Sequence, residues 1–269
     1  MRKRVHIALA VLLVMLAGVI GWQGLRLREP VYQGKSLGVW LAEYAENTAA
    51  SKRAAEEAVR HIGTNAIPAL LEMLSRKDSK LVYLWERHIS EFRFIPNWVR
   101  YQRWHRLQPG AETVNSYARL GFQILRADAK QAVPALIKLC ERNISPSSHR
   151  AASLSLTAIG PAARIAIPSF VRETASSSDD VRFDAANALL SFPSEPRLIV
   201  PAFVKGLSDT SFSVRMVAVM GLANFGTNAQ EAVPPLVRML SDPNGNVRTI
   251  ATDALRAIDP EAAAKAGVQ

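Results

Sequence analysis

FSVRMVAVMGLANFGTNAQEAVPPLVRMLS, residues 212–241, holds the pattern that decides how this 269-residue chain folds. Val214, Val217, Ala218, Gly221 and Leu222 stand at i, i+3, i+4, i+7 and i+8, which is one face of an amphipathic helix. Phe225-Gly226 ends that helix, since glycine takes the left-handed conformation a helix C-terminus favours. Thr227 and Asn228 are polar candidates to cap a second helix, whose inner face is Val233, Leu236, Val237 and Leu240. Pro234 belongs in its first turn, where the missing N–H costs nothing. The stretch therefore predicts a helix pair.

The pair recurs. Pro134, Pro168, Pro201 and Pro234 are spaced 34, 33 and 33 residues apart, in the runs AVPALIKL, AIPSFVRE, IVPAFVKG and AVPPLVRM. A further copy, AIPALLEM around Pro68, lies two periods of 33 before Pro134. The breaks between paired helices fall at Ile62-Gly63, Ile159-Gly160 and Phe192-Pro193, with Asn65 as the candidate cap in the first copy. A last first helix, Asn246 to Ile258, is followed only by Asp259-Pro260 and a short alanine-rich tail, so the last unit reads as truncated or as a cap. A period of this size marks stacked helical repeats, each unable to bury its apolar face without neighbours. The expected fold is an all-α, right-handed α-solenoid. Tetratricopeptide and ankyrin patterns of similar period are not present.

Val181-Arg182, Val214-Arg215 and Val247-Arg248 each open an alanine-rich first helix, and Asp209 and Asp242 lie six residues before Arg215 and Arg248. In these residues the units resemble HEAT repeats, of the bacterial type also found in phycobilisome-lyase-like proteins. HEAT families space an Asp–Arg pair in this way. The Arg182 unit departs from it, with Asp179 and Asp180 too close, and the Arg150 unit has no such aspartate. The resemblance covers roughly residues 51–258 apart from one interruption. It implies a fold, and it leaves the role open because such solenoids host many. PVYQGKSLGVWLAEY, residues 30–44, is similar to the segment that follows the anchor in bacterial HEAT-repeat proteins with an N-terminal membrane segment. There Ser36 is placed to cap a helix whose Leu37, Trp40, Leu41 and Tyr44 face inward.

Three cations in Met1–Arg4 precede Val5 to Trp22, where His6 is the sole ionisable residue. Eighteen residues make a helix of roughly 27 Å, enough to cross a hydrocarbon core. Trp22 sits at an interfacial position, and the cations ahead of the span keep the N-terminus in the cytoplasm and export the rest. Arg26, Arg28 and Lys35 beyond the span weigh against that orientation. A cleaved signal peptide, ending at Val19-Ile-Gly21, and a buried cytoplasmic helix are the alternatives. The domain reading is an anchor or signal segment (1–25), a linker with a first amphipathic helix (26–50), a first repeat (51–79), an aromatic and basic degenerate repeat or insertion (80–110), and the repeat array (111–269).

The net charge of +10 is uneven: 16 basic against 14 acidic side chains fall in residues 108–269, so the array itself is nearly neutral. Basic character alone therefore does not call for nucleic acid. Arg150, Arg182, Arg215 and Arg248 recur at 32, 33 and 33 residues. They read as structural, each bonding loop carbonyls or an aspartate at the start of its helix, ahead of an anion-binding ladder. A second column, Lys138, Arg172, Lys205 and Arg238, stands four residues after each proline, with Glu72 at that place in the first copy. It is either a solvated basic face or a stripe for an acidic peptide or polyanion.

Between Tyr83 and Trp104 lie 7 of the 19 aromatics, interleaved with arginines. Trp98, Arg100, Arg103 and Trp104 are the candidate partner-binding residues there, with packing against neighbouring repeats and binding of lipid or nucleic acid as other readings. Cys140 excludes an intrachain disulfide or a multi-cysteine zinc cluster and reads as a buried thiol in ALIKLC. The five histidines, 6, 61, 88, 105 and 149, show no metal-ligand spacing, and no hydrolase, Walker or Rossmann motif is present. No cofactor, metal or small-molecule substrate is expected. The chain reads as a non-catalytic scaffold for a protein partner, at or outside the cytoplasmic membrane. A solenoid binding a polyanion or nucleic acid is the alternative, and a lyase-like enzyme the third class.

Overall fold

Alanine-rich first helices and proline-opened second helices alternate because a single apolar stripe cannot be buried by one helix alone. The computed structural model describes residues 29–46, 48–77 and 110–268. A hairpin of β1 (Val31–Tyr32) and β2 (Lys35–Ser36) leads into α1 (Leu37–Ala45). Helix pairs follow: α2 (Ala49–Ile62) with α3 (Ile67–Leu74), α4 (Ala111–Leu125) with α5 (Val133–Arg142), and α6 (Pro146–Ile159) with α7 (Ile167–Glu173). Next come α8 (Asp179–Leu189) with α9 (Pro196–Gly206), α10 (Phe212–Phe225) with α11 (Val233–Met239), and α12 (Gly245–Ile258) with the short α13 (Pro260–Lys265). The first helices α4, α6, α8, α10 and α12 pack in chain order, and each second helix packs onto the first helix that follows it. The result is the stacked all-helical array that the period predicts. The N-terminal segment 1–25 and the aromatic stretch, with Trp98, Arg100, Arg103 and Trp104, lie outside the described residues.

The core runs through the stack as one large apolar cluster, from Leu37 to Ala263, beside a small one of Trp40, Ala55 and Ala58. Val214, Val217, Ala218, Gly221 and Leu222 are all buried, as their spacing requires. On α11 Leu236 is buried, but Val237 stays 37% exposed because no long second helix follows to cover it. Gly121 and Gly221 sit five residues before the ends of equivalent inter-helix breaks, where the preceding second helix comes closest. A Cβ at Gly221 would lie 2.2 Å from the buried Phe203 ring, and one at Gly121 2.5 Å from Leu70. Ala58, Ser155 and Ala254, each 0% exposed, hold the same place in other units. Small residues there set the spacing of the stack.

The connections differ from simple capped helices. Short 3-10 turns, Gly63–Ala66, Arg126–Ala132, Gly160–Ala166 and Gly226–Ala232, run directly into the second helices. Asn65, Thr227 and Asn228 therefore cap nothing: the turns leave no free N–H for a side chain to take, and buried alanines Ala66 and Ala232 occupy the cap positions. Gly226 has a positive φ, as expected, but its ψ of -131° lies far from the left-handed helical value and swings the chain into the 3-10 turn. Pro68, Pro134, Pro168 and Pro234 are the second residues of their helices. Pro201 is instead internal, because Pro196 opens α9 early and no 3-10 turn precedes it. The carbonyl this leaves unpaired belongs to Arg197, an exposed residue open to water.

At the N-terminal end, Gln33 and Gly34, both with positive φ, form the two-residue turn of the hairpin. Ser36 does not cap α1 with its side chain; the Glu29 carboxylate accepts the Gly38 N–H at 3.0 Å instead. Leu37, Trp40 and Leu41 are buried, with Tyr44 half-buried beside them. The α3 helix packs directly on α4, in the same relation as α5 to α6. The units marked by Pro68 and Pro134 are thus adjacent in the stack despite their double spacing in sequence.

Arg126 occupies the place of Gly63, Gly160 and Gly226, with φ 49° and ψ -129°, a combination that glycine alone adopts without strain. Arg126→Gly should therefore stabilise the protein by about 1 kcal/mol. Chemical denaturation showing a lower midpoint for the variant would contradict that.

Candidate interaction surface

Two ladders of basic residues run along the array, and the structure separates them. Of the arginines that open the first helices, Arg182 and Arg215 are used up internally. Arg182 forks onto Asp209, with Nε to Oδ2 at 2.7 Å and Nη2 to Oδ1 at 2.9 Å, and Arg215 forks onto Asp242 at 2.8 and 2.9 Å. Each aspartate belongs to the next unit, 27 residues on. The aspartate six residues before an arginine contributes its backbone instead: Arg215 donates to the Asp209 carbonyl at 2.9 Å and Arg248 to the Asp242 carbonyl at 2.7 Å. Ser176 supplies the same carbonyl to Arg182 at 2.9 Å, which is why that unit needs no aspartate there. Arg150 reaches Asp184 with its Nε at 3.2 Å. The expected six-residue Asp–Arg pairing is therefore a pairing across units, Arg182 to Asp209 to Arg215 to Asp242 to Arg248.

Asp242, 5% exposed, also accepts the Asn244 N–H. Hydrogen bonds from Arg215 hold its carboxyl below the usual range despite burial. Burial works to raise the Asp209 carboxyl, yet the bonds from Arg182 and the Ser211 N–H outweigh it, and the net shift is downward.

The second column behaves differently. Lys138, Arg172, Lys205 and Arg238 are all exposed, on α5, α7, α9 and α11. Arg172 pairs with Glu141 at 2.8 Å. Lys138, Lys205 and Arg238 have no ion pair among the described residues. Equivalent places on successive second helices thus present cations that the array itself does not neutralise.

Beside Arg172 opens a cavity of about 460 Å³, lined by Cys140, Glu141, Asn143, His149 and Glu173 among others. Cys140 is buried, as its apolar run suggests, and burial followed by the nearby Glu173 and Glu141 pushes its thiol far up. His149, 1% exposed, contacts Glu173 at 3.3 Å, with Asp184 at 3.9 Å from its other ring nitrogen. No short motif foretells this group, because its members come from four different helices. The repeat register is the signal that could have found it.

With this geometry in view, comparison with known proteins adds the following. Residues 200–266 match the family model described as HEAT repeats. No curated protein matches the chain. Among solved structures, it is similar to a designed armadillo repeat protein in complex with peptide (KR)4, at a TM-score of 0.49 and 17% identity, over 84% of this chain and 100% of that one. It is also similar to an engineered protein, at a TM-score of 0.47 and 21% identity, over 83% of this chain and 96% of that one. Among the described residues, Pro146–Glu173 is the one helical stretch apolar and long enough to cross a membrane, and it is the α6–α7 pair of the stack, turned at Gly160.

Removing Arg215 strands a buried aspartate. Arg215→Met should lower stability at pH 7 by about 3 kcal/mol. The Asp242 carboxyl is depressed in the native protein, so its contribution is complete above the unfolded carboxylate value and fades as pH falls through the native one. In the variant the stranded carboxyl takes up a proton more readily, so the gap to the native protein should narrow towards pH ~4. Urea titrations at both pH values check this; a gap independent of pH would refute it.

Proposed function

We propose that this chain is a non-catalytic HEAT-like scaffold that holds a protein partner, and that the partner's contacting segment is acidic. Stacked helical repeats generally serve protein interaction, because successive units present an extended surface rather than one enclosed pocket. The observation that carries the reading is the exposed column of Lys138, Arg172, Lys205 and Arg238. Three of its four cations have no internal counter-charge among the described residues, whereas Arg182 and Arg215 are fully engaged. Neighbouring helices in contact lie about 8–10 Å apart, close to the Debye length at physiological salt. An extended acidic segment can then meet several cations in turn, with an affinity that falls as salt rises.

The apolar span Val5 to Trp22 supports a single-pass anchor with the repeats outside the cytoplasm. That address favours a protein over nucleic acid as the partner. The aromatic and arginine-rich residues Trp98, Arg100, Arg103 and Trp104 are a second contact region in this proposal.

Two measurements test it. In cells, Arg172→benzoylphenylalanine followed by photo-crosslinking should capture a protein; capture of nucleic acid or one small metabolite would overturn the scaffold reading. With a poly-glutamate peptide as probe, Lys138→Gln, Lys205→Gln and Arg238→Gln together should weaken binding about tenfold or more and flatten its salt dependence. Unchanged binding would remove the column from the interface.

A further inference from the structure

We propose that Cys140, His149 and Glu173 form a binding site for a divalent transition metal of the zinc class, open on one side to the cavity beside Arg172. The three ligand atoms, one sulfur, one imidazole nitrogen and one carboxylate oxygen, all lie within 4.8 Å of one another. Tetrahedral zinc, with bonds of ~2.0–2.3 Å, separates its ligand atoms by ~3.3–3.7 Å, so closure by roughly 1 Å completes the site. Side chains in a buried cluster reach that by small torsional shifts. The mixed S, N and O donors suit zinc rather than calcium or magnesium, which take oxygen ligands.

The repeat register shows that these residues depart from the pattern of the other units. Cys140 stands where Leu74, Leu207 and Leu240 stand, six residues after their prolines. Glu173 stands where Met73, Leu139 and Met239 stand, and His149 takes the place that Arg182, Arg215 and Arg248 hold on their helices. Thr174 and Gly206 fill the remaining equivalent places, and neither is a metal ligand of this class. Cys140 and Glu173 thus replace apolar residues, His149 replaces an arginine with a side chain that can bind a metal, and the three converge on one point between two units. Asp184, beside the other ring nitrogen of His149, stands where Ala151, Val217 and Ile250 stand.

Three coincident polar replacements of apolar residues, Cys140, Glu173 and Asp184, lower stability unless they bind something. The second oxygen of Glu173 is buried and has no hydrogen-bond partner, which leaves a carboxylate atom unsatisfied at the centre of the group. A dication with one thiolate, one carboxylate and a neutral imidazole is uncharged overall. On binding, the Cys140 S–H bond breaks, its proton leaves to solvent, and the sulfur bonds the metal. Asp184 then accepts from the His149 ring nitrogen that does not bind metal and orients it, as carboxylates commonly do behind zinc histidines. Three protein ligands leave the fourth position to a water or another donor entering from the cavity of about 460 Å³.

The test uses the full purified chain, with zinc measured by equilibrium dialysis and cobalt(II) as the spectroscopic probe. One zinc per chain is expected, and cobalt should show a thiolate-to-metal charge-transfer band. The chain has a single cysteine, so that band can arise only from Cys140. The combined variant Cys140→Leu and Glu173→Met restores what other units carry at those two places. It should fold at least as stably as the metal-free native chain, lose the band and bind zinc at least a hundredfold more weakly. Asp184→Asn should weaken binding by roughly 10–100-fold while keeping the band. Zinc uptake without the cobalt band, no uptake at micromolar zinc, or equal uptake by the combined variant would each overturn the proposal.

Discussion

Everything in this array depends on how closely a first helix can approach the second helix of the unit before it. Gly121 against Leu70 and Gly221 against Phe203 mark that approach, and Ala58, Ser155 and Ala254 keep the equivalent places small. Phe203, 1% exposed, is worth about 2–3 kcal/mol of burial, and it is buried only because Gly221 has no side chain to displace it. Stability in such a stack is a sum over neighbouring interfaces, so the spacing set at one contact is inherited by the next.

The cross-unit arginine–aspartate forks act on the same interface from its rim. Each binds a first helix to the loop that starts the next one, and each aspartate also fixes its own loop through a backbone N–H. Arg182 and Arg215 are consumed internally, whereas Lys138, Lys205 and Arg238 of the second-helix column keep charge to offer. The two ladders look alike in sequence and differ in fate because one points along the stacking interface and the other into solvent.

Much of this architecture was legible before any coordinates. Val214, Val217, Ala218, Gly221 and Leu222 lie inward as their spacing requires, and four of the five prolines fall in the first turn of a helix. The capping roles given to Ser36, Asn65, Thr227 and Asn228 were wrong, since Glu29 and continuous 3-10 turns meet those N–H groups. Capping is a matter of local torsion angles, and a polar residue near a helix start does not by itself specify them. The structural arginines Arg182, Arg215 and Arg248 bond the carbonyls of the preceding loop as expected. Arg182 and Arg215 add a fork across the stack to an aspartate of the next unit, which spacing along one unit does not show.

The sequence by itself determined the repeat: its period, its helix pairs, the side of each helix that is buried, and the register that makes equivalent positions comparable. Periodicity carries these because burial against identical neighbours imposes the same pattern on every unit. Only the tertiary structure decided that the units of Pro68 and Pro134 are neighbours, which arginines are spent, and that Cys140, His149, Glu173 and Asp184 meet. Those residues lie on four helices and share no local motif, so folding alone brings them together.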